Sequence, residues 1–201
     1  GDVGEDKGML DEIVGEVLSA AASNAAAKLG RTLHALSEQV DAGTKPDYLP
    51  GELIGELTAY EEAMRGITVL GSEKFIVNDD VQAAGTFDRL LALPGVGMVV
   101  ADIKTGQHEP NYPHAACIQV ATYARGHLYD HDKGRIKYLP DLGVSTDVGL
   151  MIWLPAGKAR CELYLLDLNL GWELAQTAAR VRDVYKSKPL TLHTVDHLAV
   201  G

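Results

Sequence analysis

The sequence contains only two cysteines, Cys117 and Cys161. Each lies among apolar residues, the first in a helical pattern and the second in a strand pattern, and we expect both to be buried, reduced thiols. Two thiolates also fall short of the four that an iron–sulfur cluster or a structural zinc site usually takes. The cysteine content therefore argues against both kinds of sulfur-bound centre.

Basic residues are scarce as well: 18 lysines and arginines stand against 28 aspartates and glutamates, which gives a formal net charge of −10. This balance argues against a surface that is basic all round, as many sequence-reading DNA-binding proteins have. It does not exclude nucleic acid as a partner. Carboxylates can hold divalent cations, and such cations reverse the local field that a phosphate meets.

No apolar run approaches the ~18 residues that a membrane-spanning helix needs, and residues 1–8 lack the basic-then-apolar order of a secretory signal. We therefore expect a soluble, cytoplasmic protein without a membrane partner. The length of 201 residues and the 46% of hydrophobic residues favour one domain. We predict a disordered segment or tag remnant at 1–8, a single domain at 9–188 and a C-terminal tail at 189–201.

Hydrophobic spacing predicts an α/β domain with a mixed β-sheet flanked by helices. The predicted helices, the first interrupted by Gly30, cover residues 9–29, 31–40, 50–65, 112–129 and 170–186. The predicted strands cover residues 68–77, 82–92, 98–103, 148–154 and 161–168, with a loop or short hairpin at 134–146. The turn at 94–97 predicts that the second and third strands form a hairpin.

Two of these strands place carboxylates among apolar residues. Asp102 and Lys104 are two apart, so their side chains share one face of a strand, and hairpin pairing can bring Asp88 near that face. Two carboxylates are hard oxygen ligands for Mg²⁺ or Mn²⁺, and an ammonium can stabilise a phosphoryl transition state or act on a water. The pattern therefore predicts metal-dependent phosphodiester hydrolysis, with the role of Lys104 left open.

A purely structural interpretation competes with this one. Asp88 can pair with Arg89 at a strand end, while Asp102 and Lys104 form a solvated pair on an edge strand. The run before Asp102, Met98-Val-Val-Ala, is apolar on both faces, as in buried central strands. A charge there is costly unless function retains it, which favours the catalytic interpretation.

The order of GTFDRL, a hairpin, ADIKTG and then Gln119-Val-Ala-Thr-Tyr123 resembles the RecB-like branch of the PD-(D/E)XK nuclease superfamily, the small phage and actinobacterial type without an iron–sulfur cluster. The resemblance covers roughly residues 34–168. It implies a restriction-endonuclease-like core and a Mg²⁺- or Mn²⁺-dependent deoxyribonuclease, with an exonuclease as the expected form. Thr86 and Phe87 precede Asp88, so the proline of the superfamily's name is missing. The chain also lacks an ATPase signature, and we expect no nucleotide cofactor.

The resemblance also implies roles for individual residues. His34 follows Gly30 in the Gly-x-x-x-His context of a metal ligand, beside Asp88, Asp102 and the backbone carbonyl of Ile103, and Glu73 is a further candidate ligand. Gln119 and Tyr123 lie four apart on one helix face. Gln119 is implied to hold Lys104 or the attacking water, and Tyr123 to contact a DNA phosphate. The corresponding alternatives are a surface histidine and ordinary amphipathic helix positions.

The basic stretch after that helix offers a DNA path. Arg125, Lys133 and Arg135, with Arg31 beside His34, can contact phosphates, and Tyr112, Tyr129 and Tyr138 can stack on unpaired bases. A basic loop on an acidic protein can equally be only solvated. The resemblance allows a recombinase, a single-strand-binding protein or a helicase as partners, and oligomers. A catalytically inactive nuclease-fold module for DNA binding or assembly is the alternative function.

Overall fold

The computed structural model describes residues 23–44, 49–111 and 113–187. Their centre is a seven-stranded mixed sheet with the order β5-β4-β1-β2-β3-β6-β7, in which only β3 and β6 pair in parallel. The strands are β1 (Thr68–Asn78), β2 (Ala83–Leu93), β3 (Gly97–Lys104), β4 (His127–Asp130), β5 (Gly134–Tyr138), β6 (Val148–Trp153) and β7 (Glu162–Asp167). The predicted α/β class with a mixed sheet is confirmed.

Helices cover the two faces of the sheet. On one face lie α1 (residues 23–41) and, after a 3₁₀ turn at Gly51–Leu53, α2 (Ile54–Ala63); their core includes Leu33, Leu57 and Tyr60 against Val99 and Ile152. On the other face lie α3 (His114–Ala124) and α4 (Leu168–Ser187), which pack over a second core around Val100, Val120 and Met151. β3 is thus buried from both sides, as its continuous apolar run predicts.

The hairpin of β2 and β3 forms as predicted, with Leu93 opposite Gly97 across the turn. Two details of the prediction are wrong. Gly30 does not interrupt the first helix, because α1 runs through it and the glycine is buried against Thr105. The helix predicted at 112–129 ends at Ala124, and β4 begins at His127 and pairs with β5, within the predicted 134–146 region.

The two cysteines are free thiols, Cys117 buried in α3 and Cys161 half-buried just before β7. Burial raises the pKa of both thiols, that of Cys161 to about 12. Residues 1–8, the predicted tail at 189–201 and Tyr112 lie outside the described residues. Within the described part of the chain, no helix is both long enough and apolar enough to cross a membrane.

Gly171 fixes the approach of α4 to α3. A Cβ at this position would overlap the backbone carbonyl group of Cys117 and crowd Ala121. Overpacking of this kind costs about 3 kcal/mol at its upper end, and the helix-propensity gain of alanine offsets about 1 kcal/mol. We therefore expect Gly171→Ala to lower the free energy of unfolding by about 2 kcal/mol in urea denaturation.

Gly51→Ala is the matched control, because a Cβ there meets no atom within 4 Å. Its free energy of unfolding should stay within about 0.5 kcal/mol of wild type. Equal stability of Gly171→Ala and Gly51→Ala would contradict the close α3–α4 packing.

Candidate metal centre

The candidate site lies where β2 and β3 separate. Their antiparallel ladder ends at the pair Arg89–Ala101, after which β3 continues to Lys104 beside β6. Asp88 is the next residue of β2, and its Oδ2 accepts a hydrogen bond of 2.6 Å from the backbone N–H of Ile103. The Asp88 carboxylate thereby provides a hydrogen-bond acceptor for the Ile103 N–H, which lies beyond the last paired residues, where the two strands diverge.

Three side chains that could ligate a metal ion meet at this opening. His34 comes from α1, Glu73 from β1 and Asp88 from β2, and one ligand atom of each lies within 4.8 Å of the others. The Nδ1 atom of His34 is 3.6 Å from Oδ1 of Asp88. All three side chains face an open cavity of about 600 Å³, which is also lined by Gly30, Arg31, Glu38 and Thr105.

The backbone at Glu73 is unusual. Its φ angle is +49°, in the left-handed region that residues other than glycine rarely adopt, although it lies in the middle of β1. Its neighbours Ser72 and Lys74 pair with Arg89 and Phe87 of β2, so Glu73 lies opposite Asp88. Strained conformations of this kind cluster at functional sites, where the surroundings hold them in place.

Asp102 lies next to this group and is almost fully buried, with 3% of its surface exposed. Its Oδ2 is 2.7 Å from Nζ of Lys104, but the contact is an ion pair without hydrogen-bond geometry. Among the described residues, this oxygen is the one buried side-chain polar atom without a hydrogen-bond partner. Lys104 Nζ donates instead to Oε1 of Gln119 at 3.0 Å. Because β3 is a central strand, the interpretation of a solvated pair on an edge strand is wrong.

Burial and neighbouring charges shift the pKa values of this group. The adjacent Asp88 carboxylate raises the pKa of His34 above its usual value. Burial raises the pKa of Asp102, against the opposing charge of Lys104, and burial together with the charge of Asp88 raises the pKa of Glu73. Burial disfavours the charged form of a carboxyl group, and a nearby negative charge acts in the same direction.

These residues fit a divalent cation. The donor set consists of carboxylate oxygens and one imidazole nitrogen, which suits a hard or borderline cation and not a thiophilic one. Oδ2 of Asp102, whose contact is the ion pair with Lys104, supplies a further buried acceptor at the edge of the group. A bound cation would offset the negative charge of these carboxylates.

The remaining candidate residues are spread over the molecule. Arg31 is exposed and lines the cavity, and the hydroxyl of Tyr123 packs against Gly85 of β2. Arg125 instead holds the start of α4: its guanidinium donates to the carbonyl of Leu168 and lies over the Trp172 ring. Lys133 and Arg135 lie on the β4–β5 hairpin, and Arg135 pairs there with Asp79. The structure therefore brings Arg31 to the cavity but not Arg125, Lys133 or Arg135.

The sequence gives no direct indication of a buried network around Arg89. This side chain is fully buried, and its Nε bonds to Oδ2 of Asp41 at 2.5 Å while Nη2 donates to Oγ of Ser37 at 3.0 Å. Its Nη1 donates to the backbone carbonyl of Asp88 at 2.8 Å, so the interpretation of an Asp88–Arg89 carboxylate pair is wrong. Tyr60 completes the network by donating its hydroxyl to Asp41. Arg89 thus connects α1 to β2 directly behind the group of His34, Glu73 and Asp88.

No protein-family model matches this chain, and no curated protein matches it either.

Proposed function

We propose that this protein is a divalent-metal-dependent DNA nuclease with a restriction-endonuclease-like core, a member of the RecB-like branch of the PD-(D/E)XK superfamily. The observation that carries the proposal is the meeting of His34, Glu73 and Asp88 at the opening between β2 and β3. The Asp102–Lys104 ion pair on the adjoining strand, with a buried carboxylate and a partly exposed ammonium, supports it. Phosphodiester hydrolysis requires metal ligands beside a positive charge that the reacting phosphate can reach.

The side chains of His34, Glu73, Asp88 and Asp102, with the carbonyl of Ile103, would hold Mg²⁺ or Mn²⁺. When bound, the cation supplies polarisation of the phosphoryl oxygens and a nucleophilic water at neutral pH. Water adds to phosphorus, the P–O bond to the departing sugar oxygen breaks, and that oxygen leaves as a hydroxyl. The hydrogen bond from Ile103 keeps the Asp88 carboxylate in place before the cation arrives.

Lys104 provides the fixed positive charge of this reaction. Its ammonium is held between Asp102 and Gln119, while 41% of the side-chain surface stays exposed. An ammonium so placed stabilises the negative charge that develops on the phosphoryl group. Gln119 is then a positioning residue, because it contacts Lys104.

Removing the charge of Lys104 should slow the reaction strongly. We expect Lys104→Met to lower kcat about a hundredfold to a thousandfold, the usual effect of losing one preorganised electrostatic group. Mn²⁺ binding should persist, because Lys104 is not a metal ligand. Steady-state cleavage of a fluorescent DNA substrate, together with Mn²⁺ titration, measures both quantities.

Lys158→Met serves as the control, since Lys158 lies exposed in the turn between β6 and β7. Its kcat should equal that of wild type. A kcat of Lys104→Met within threefold of wild type would remove Lys104 from the proposed machinery.

Digestion of end-labelled linear DNA and of closed circular DNA, each with Mg²⁺, Mn²⁺ or EDTA, tests the proposed function. We expect metal-dependent degradation of the linear substrate and little attack on the circle, as an exonuclease requires. Cutting of the circular DNA would show that the protein is an endonuclease and not an exonuclease. No cleavage of either substrate in either metal would overturn the proposal.

A further inference from the structure

Among residues 23–44, 49–111 and 113–187, helices cover only part of one face of the sheet. On the side of α1 and α2, the core contains side chains of β2, β3 and β6. Strand β1 contributes only Val69, near its beginning, and β4 and β5 contribute no side chain to this core. Beyond Val69, the same side of β1, β4 and β5 carries a group of rings, which we call the aromatic face: Phe75, His127, Tyr129, His131 and Tyr138.

Strand register places these rings on one side. Ile76 pairs with Leu128 across β1 and β4, and both side chains pack into the core beneath α3. Side chains alternate along a strand, so Phe75 and Tyr129 project to the opposite side. His127 has the same parity as Tyr129 and lies opposite Tyr138 of β5.

The rings contact one another, and two of the five are exposed while three are half-buried. The centroid of Phe75 is 5.9 Å from that of Tyr129 and 6.2 Å from that of His131, and the last two are 5.9 Å apart. His127 and Tyr138 form a second pair at 4.8 Å. Phe75 keeps 38% of its surface exposed, and His131 is exposed as well. The scarcity of aromatic residues in the chain, 6% of the total, makes this grouping distinctive.

The aromatic face adjoins the candidate metal centre. Phe75 follows Glu73 by two residues on β1, a rise of about 7 Å. Cations lie at the far side, where Arg135 of β5 is paired with Tyr129 in register and Lys133 occupies the β4–β5 turn.

Some of the carboxylates near the aromatic face already form an ion pair or hydrogen bonds within the protein. Asp79 pairs with Arg135, and Asp130 accepts the backbone N–H groups of Asp132 and Lys133. Asp132 is exposed in the same turn. The two cations and three carboxylates of this rim sum to −1, within a chain whose net charge is −10.

We propose that the aromatic face binds single-stranded DNA and directs it towards the metal centre; the second half of this statement rests on the proposed function. Exposed rings next to cations form the stacking platforms that bind unpaired bases without sequence preference. Base pairs hide their flat faces within a duplex, so the surface selects a single strand. The two-residue step from Phe75 to Glu73 places the bound strand beside the candidate metal ligands.

Binding of fluorescein-labelled oligothymidylate, followed by fluorescence anisotropy in EDTA, tests the surface without any cleavage. We expect wild type to bind the single strand more tightly than a duplex of the same length. Phe75→Ala and Tyr129→Ala should each weaken single-strand binding about tenfold, the effect of losing one stacked base. Tyr185→Ala is the matched control, since this tyrosine is 85% exposed on α4, and its affinity should match wild type.

Unchanged affinity of both variants, equal losses for single strand and duplex, or no binding by wild type would each overturn the proposal. If Phe75→Ala does not fold, Tyr129→Leu and His131→Ala decide the outcome, because they remove rings from half-buried and exposed positions. Light scattering adds one more test: a wild-type dimer that becomes monomeric in Tyr129→Ala would assign the surface to a second copy of the chain. Because no metal is present, a loss of binding in these variants supports the surface even if the nuclease assay fails.

Discussion

Asp102→Asn is expected to lower metal-dependent DNA cleavage at least about a thousandfold while the protein stays folded. Several kcal/mol of transition-state stabilisation depend on a bound cation, and each 1.36 kcal/mol is worth about tenfold in rate. Asparagine preserves the shape of the side chain but removes the anionic oxygen that lacks a hydrogen-bond partner. Cleavage of labelled linear DNA in Mg²⁺, with circular dichroism as the folding check, measures the effect.

The stability of the Asp102→Asn variant shows whether Asp102 is a metal ligand or one half of a structural ion pair. The Asp102 carboxylate is buried and its pKa is raised by that burial, so its charge is a cost in the metal-free protein. The melting temperature of Asp102→Asn without metal should therefore equal or exceed that of wild type. Asp183→Asn, at an exposed position on α4, is the control and should keep full activity. Asp102→Asn with activity within tenfold of wild type would contradict the assignment.

The largest expected loss of stability follows from Arg89→Met. Methionine would leave the carboxylate of Asp41 unpaired, although only 6% of its side chain is exposed. Breaking a buried ion pair from one side costs about 3–5 kcal/mol. For a chain of this size, such a loss lowers the melting temperature by about 10 °C. Differential scanning calorimetry of the metal-free protein measures it.

Two further variants make this prediction specific. Arg160→Met removes an arginine that is 48% exposed and paired with Glu162, and its melting temperature should stay close to that of wild type, because exposed ion pairs contribute little to stability. The double variant Arg89→Met with Asp41→Leu should recover part of the loss, because it leaves no buried charge without a partner. Arg89→Met as stable as Arg160→Met would show that the network contributes little.

Local sequence signals were sufficient for much of the fold. The hairpin of β2 and β3 follows from two apolar runs separated by a turn rich in proline and glycine, and the structure contains it. The burial of Asp102 follows from the apolar residues on either side of it, since such a run is typical of a central strand. The family resemblance implied that Gln119 holds Lys104 or the attacking water. In the structure, the Lys104 ammonium donates a hydrogen bond to the side chain of Gln119.

The end of α3 was not predictable in this way. Helical spacing continues to Tyr129, but Asn78 of β1 donates its side-chain amide to the carbonyls of Thr122 and Arg125. This cap comes from a residue more than 40 positions earlier in the chain, so no local pattern contains it. Gly126, where a Cβ would overlap Ile76, was the available signal for a close approach at this point.

The same reason explains the missed network around Arg89. Asp41 and Ser37 lie on α1, about 50 residues before their partner Arg89. The residue spacing in neither segment predicts these contacts. The only local signal was a charged residue, Arg89, between Phe87 and Leu91 in a strand. That signal is equally compatible with an ion pair between Arg89 and the neighbouring Asp88. The left-handed backbone of Glu73 is likewise set by tertiary contacts, because glutamate has no local preference for it.

We propose that His34, Glu73 and Asp88 hold a divalent cation at the opening between β2 and β3. Anomalous diffraction from a crystal soaked in Mn²⁺ is the test of this proposal. We expect one or two manganese peaks within coordination distance of these side chains and of Asp102, and we expect them to disappear in Asp88→Asn. Manganese absent from this opening in the wild-type crystal, or bound elsewhere only, would contradict it.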